Sequence, residues 1–103
     1  MLVVRSRNGV LVRLTEERWQ HVVAQHPEMD GQRAKVLETL AGLDMIQDGD
    51  FGELLAVRHY DATPLGEKYV VVVYSEVGAE DGFILTAHLT RRPSARRETV
   101  WKR

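Results

Sequence analysis

The sequence predicts an α+β fold in which N-terminal helices pack on a four- to five-stranded antiparallel sheet. Two observations carry this. Between residues 15 and 41 apolar residues recur at helical spacing, and from residue 45 the period becomes 2. Each later break is rich in Gly, Asp or Pro, as turns require. A chain of 103 residues suits a single domain, 1–103, and leaves little room for a second.

The elements follow in order. Leu2–Arg5 and Val10–Leu14 are β-prone runs separated by Asn8-Gly9, a dipeptide that accepts the positive φ of a tight hairpin turn. Thr15 is placed to cap a helix whose first turn holds Glu16 and Glu17, where the dipole favours negative charge. Trp19, Val22, Val23 and His26 share one stripe of that helix, and Pro27 should end it. Asp30 precedes a second helix across Gly31–Ala41, with Ala34, Leu37, Leu40 and Ala41 on its expected inner face and Gly42 after its end. Met45–Gln47, Glu53–Tyr60, Lys68–Glu76 and Phe83–Arg91 then read as strands of an antiparallel meander, because their links are too short for parallel crossovers. In the last strand Phe83, Leu85, Ala87 and Leu89 are expected to face the core. Ile84, Thr86, His88 and Thr90 make an unusually polar opposite face, and a one-residue slip would exchange the two. The expected core includes Trp19, Val22, Leu37, Leu40, Val71, Phe83 and Leu85.

Composition narrows the function classes. With no Cys there is no disulfide, no thiolate metal site and no thiol catalysis, and a reducing, cytoplasmic setting is expected. The longest apolar run, Val70–Tyr74, is far short of the roughly 20 residues that cross a bilayer, and the N-terminus lacks the pattern of a signal peptide. The net charge of −1 conceals an asymmetry. From Thr90 onward there are six basic residues and one acid, while the first 89 residues hold eight basic and fourteen acidic ones. A cationic end on an acidic body can meet phosphates, or it can fold back on the acids or contact an acidic partner.

No glycine-rich phosphate loop, His-Glu-x-x-His or Gly-x-Ser-x-Gly motif is present, so no cofactor or metal is expected. His21 and His26 are five apart, a poor spacing for shared ligation on a helix. His26, at a helix end beside proline, is either a half-buried carbonyl cap or a general acid/base at a cleft edge. His88, between Thr86 and Thr90 and followed by Arg91 and Arg92, makes a basic, hydroxyl-bearing patch suited to phosphodiester chemistry. An exposed polar sheet face explains it about as well. Arg58 and Tyr60 share a strand face and could orient a phosphate, although a surface ion pair also accounts for Arg58. His21 and His59 read as surface residues, and Trp101 as a core anchor.

Leu14–Val22, His26-Pro27-Glu28, Gly52–Tyr60, Val70–Tyr74 and Asp81–Arg92, in that order, resemble a family of small prokaryotic and phage-associated nuclease-like domains. That family belongs to the barnase, EndoU, colicin E5/D and RelE fold group, and the resemblance covers residues 10 to 103. It implies helices on a four-stranded antiparallel sheet and a metal-independent ribonuclease mechanism in which the ribose 2′-hydroxyl attacks the adjacent phosphate. It assigns acid/base chemistry to His26, phosphate binding to Arg58, and the cleft lining to Thr86, Thr90 and Arg91. Similar sequences often hold Tyr where this chain has His88, which would make His88 either a variant or no essential catalyst. Two functions are therefore expected to compete. One is an RNA-cleaving enzyme, toxin-like or phage-derived, with catalytic His26, Arg58 and His88 and substrate-binding Tyr60, Thr86, Thr90, Arg91 and Arg92. The other is a non-catalytic module that holds RNA or an acidic partner. An inhibitor or antitoxin protein is the expected protein partner of the enzyme.

Overall fold

The computed structural model describes residues 1–103, and its element order matches the expectation as far as Thr90 and adds a strand near the C-terminal end. Strands β1 (Leu2–Arg5) and β2 (Leu11–Leu14) come first. Helices α1 (Glu16–Gln25) and α2 (Arg33–Ala41) follow, joined by a 3₁₀ turn at Pro27–Met29. Then come β3 (Met45–Asp48), β4 (Leu54–Tyr60), β5 (Lys68–Glu76), β6 (Gly82–Thr90) and β7 (Thr99–Lys102). All seven strands form one sheet in the order β1-β2-β6-β5-β4-β3-β7. It is mixed, because β2 runs parallel to β6 through Val12↔Gly82 and Arg13↔Phe83. The expected helices on a four- to five-stranded antiparallel sheet are thus replaced by a larger, mostly β fold with two short helices inserted after the first hairpin. No helix is long and apolar enough to cross a membrane.

The first hairpin turns where expected, with Gly9 at φ 83°. Its second strand does more than close that hairpin. It joins the meander's outer strand near Gly82, where the backbone lies so close to Ser75 O that a Cβ would sit 2.6 Å from it. Thr15 Oγ1 accepts from the Arg18 N–H, opening α1, and the His26 N–H donates to Val22 O, closing it before Pro27.

The main core lies between the helices and one sheet face. Trp19 and Val22 of α1, Met29, and Val36 and Leu40 of α2 pack on Val12, Leu14, Ala56, Val70, Val72, Tyr74, Ile84 and Ala87. The buried face of α2 is Val36, Thr39 and Leu40. The expected stripe is rotated: Ala34 and Ala41 are exposed and Leu37 is only half-buried. A second correction concerns β6. The ladder pairs Val73↔Thr86 but Tyr74↔Ile84, leaving Leu85 as an extra residue in a bulge. The bulge switches faces, so Ile84 is buried and Phe83 is 37% exposed, opposite to the expectation.

The other sheet face carries a small apolar patch of Leu55, Val57 and Val71. Across this face runs the feature that most shapes the site. Strand β6 and strand β7 point the same way, yet β5, β4 and β3 lie between them. The connection Arg91–Glu98 must therefore pass over the sheet. Four strand spacings amount to about 19 Å, and eight extended residues reach at most about 29 Å, so the crossover has little slack. Gln47 on β3 anchors it by donating to Ser94 O at 2.8 Å, and Arg97 ties it to Asp50 at 3.0 Å.

Candidate functional site

His88 is the residue from which the site builds. Its register partner is Val71, itself opposite Val57, so its side chain lies on the face that the crossover spans. Strand β6 pairs with β2 only at Gly82 and Phe83. Beyond that point β6 has no neighbouring strand on this side, and α1 packs beside it, with Arg18 reaching Leu85 O at 3.5 Å. The C-terminal end of α1 thereby delivers His26 to His88. The two imidazole centroids are 5.5 Å apart, with the rings tilted by 32°. Glu28, from the 3₁₀ turn, places a carboxylate oxygen 3.7 Å from His26 Nδ1.

The electrostatics of the pair are asymmetric. Burial holds His88 below the ordinary imidazole range, the charge of His26 pushes the same way, and Glu28 opposes both. Both rings are half-buried. Beside His88 a cavity of about 220 Å³ opens between the sheet and the crossover. Its floor is Leu55 and Val71, Gln47 lies at one side, and Thr90, Arg92, Ser94 and Arg97 complete the wall with no acid among them. Thr90 Oγ1 donates to Arg92 O at 3.1 Å, shaping the start of the crossover.

Of the expected site residues, His88, Thr90 and Arg92 line this cavity, and His26 lies against His88. Arg91 begins the crossover and is exposed. Thr86 lies further along the same face, with its hydroxyl buried and unpartnered. Arg58 and Tyr60 are elsewhere. Arg58 pairs with Val70, which pairs in turn with Leu89, and this puts Arg58 on the helix face of the sheet. There it donates to Glu38 O at 3.3 Å near the C-terminal end of α2, where partial negative charge gathers. Tyr60 donates to Glu38 Oε1 at 2.9 Å, and the Arg58 guanidinium lies 5.2 Å from its ring centroid. This arrangement ties α2 to the sheet and places Arg58 and Tyr60, expected to act in catalysis and substrate binding, apart from the cavity beside His88. Spacing alone hid this, because i, i+2 gives a shared face but not which face.

Gln47 and Ser94, which form part of the cavity, were not singled out in the sequence. The amide of Gln47 at the end of a short expected strand was the only available signal, and its burial is legible only in the structure. His59 also has partners: Glu67 Oε2 at 3.0 Å from Nε2 and Asp61 Oδ1 at 3.7 Å from Nδ1. The donor atoms of these three lie within 4.8 Å of one another, but each carboxylate engages a different ring nitrogen, as in ordinary ion pairs. The C-terminal charge is partly absorbed: Arg97 pairs with Asp50 and Arg103 with Asp44, whereas Arg91, Arg92 and Arg96 make no ion pair. Searches with this chain match no protein-family model, no curated protein and no solved structure. The functional reading accordingly rests on these residues.

Proposed function

We propose that the chain is a ribonuclease that needs no metal and cleaves RNA by attack of the ribose 2′-hydroxyl on the adjacent phosphate. The observation that carries this is the approach of His26 to His88, which itself lines a cationic cavity. His88, favoured in its neutral form by burial, accepts the proton of the 2′-hydroxyl. The oxygen bonds to phosphorus, the bond from phosphorus to the 5′-oxygen breaks, and His26 protonates the leaving oxygen. The products are a 2′,3′-cyclic phosphate and a 5′-hydroxyl. Arg92, unpaired and on the cavity wall, is the guanidinium best placed to stabilise charge on the phosphorane. Arg58 drops out of the mechanism because it is engaged at α2.

The test incubates purified protein with mixed single-stranded RNA from pH 5 to 9, with and without EDTA. Cleavage that persists in EDTA, leaves cyclic phosphate ends and stops on 2′-O-methylated RNA is expected. His26→Ala and His88→Ala should each lower the rate by about 10²–10⁴-fold, with folding checked by circular dichroism. Arg58→Ala should lower stability more than it lowers the rate per folded molecule. RNA binding without cleavage would replace the enzyme by the binding module, for which the three unpaired arginines are the supporting observation.

A further inference from the structure

We propose that the cavity beneath the Arg91–Glu98 crossover is a nucleobase pocket that takes the base adjoining the phosphate held by His26 and His88. The phosphate half of this rests on the ribonuclease reading; the base half rests on the cavity itself.

Three features of the cavity point to a base. Its volume of about 220 Å³ lies below the range of about 300–1,000 Å³ typical of sites for drug-sized ligands, and suits a single ring system. The floor, Leu55 and Val71, is an aliphatic surface in the middle of a sheet face, against which a flat ring can pack. The third feature is Gln47. It is only 3% exposed, and its Nε2 donates to Ser94 O at 2.8 Å, which fixes the amide. Its remaining N–H and its carbonyl oxygen have no protein partner. An amide with one donor and one acceptor side by side complements a base edge that presents the same pair. A bare phosphate accepts from an amide N–H but has no use for the carbonyl oxygen beside it or for the apolar floor.

The wall supplies the orientation. His88, Arg92 and Arg97 are the ionisable groups of the lining, and all are basic or neutral. An anionic group is therefore favoured at the rim while the uncharged ring enters. Arg97 is already engaged by Asp50, which leaves Arg92 as the unpaired guanidinium. The ligand class is a single-stranded ribonucleotide with its base free. A stacked duplex cannot insert one ring under the crossover without extruding it.

The experiment titrates the full chain with each of the four nucleoside 3′-monophosphates and, separately, with inorganic phosphate, by calorimetry and by amide NMR. At least one nucleotide should bind about tenfold more tightly than phosphate, and only the nucleotide should shift the amides of Leu55 and Val71. Gln47→Leu should bring its affinity down toward that of phosphate. Equal affinity for all five ligands, or nucleotide shifts that spare Leu55 and Val71, would overturn the pocket whether or not the variant folds. The two readings fail separately. Nucleotide binding with no RNA cleavage removes the enzyme and leaves the pocket, whereas cleavage with no response at Leu55 and Val71 removes the pocket alone.

Discussion

At the scale of single residues, His88 couples the site to stability. Burial lowers its folded-state value from the ordinary 6.5, so below that pH the unfolded chain takes up a proton that the folded chain resists. The contribution is complete above about pH 6.5 and is lost as pH falls through the lowered folded value. Urea midpoints should therefore drop between pH 7 and 5, and His88→Gln should flatten that drop. Tyr74 makes the opposite kind of statement. It is fully buried, its hydroxyl has no partner, and burial raises its pKa. Removing an unsatisfied buried hydroxyl relieves a penalty of about 1–3 kcal/mol. Tyr74→Phe should leave the melting temperature unchanged or raise it, and a clear fall would reveal a bound water at the hydroxyl. Neither property was legible in the sequence, since both depend on which side of a strand a residue occupies.

Among the elements, β6 shows where sequence reading held and where it lapsed. Its existence followed from strict alternation, but the bulge at Leu85 is a ladder property that alternation cannot reveal. With it went the expected burial of Phe83. The α2 face was placed correctly at Leu40 but rotated elsewhere, because Ala34 and Ala41 are apolar by type yet too small to decide a stripe against Val36. The His26 and His88 pairing depended on α1 lying beside the unpaired stretch of β6, which no local signal records. The Thr15 cap, the Pro27 stop and the Asn8-Gly9 turn were legible because each is local chemistry. Gly82 tests the junction of β2, β5 and β6. A Cβ there meets Ser75 O and, at 3.3 Å, both Val10 and Val12. Gly82→Ala should destabilise by about 1–3 kcal/mol, the range for overpacking, measured by denaturant unfolding. A smaller loss would mean that the parallel β2–β6 contact yields readily.

For the whole molecule, charge is arranged by the crossover rather than by a free tail. Arg91, Arg92 and Arg96 remain unpaired on or beside one face, while the acidic body ties down Arg97 and Arg103. Replacing the three unpaired arginines by Ala should weaken RNA binding across sequences and flatten its salt dependence. The slope should fall by up to about 0.7 for each single-strand phosphate that is no longer neutralised. Undiminished binding in filter assays at moderate salt would move the interface elsewhere. The topology also shapes how the chain is made. The hairpin β1–β2 is translated well before its only other strand partner, β6, which begins at Gly82, so the Val12↔Gly82 pair joins residues 70 apart in sequence. Val12 and Leu14 must wait without their sheet until Gly82 and its strand have left the ribosome. Such distant pairing is slow, on the order of milliseconds to seconds for sheet-dominated domains. During synthesis, then, this hairpin is the element that waits longest, in chain length, for its neighbour in the sheet.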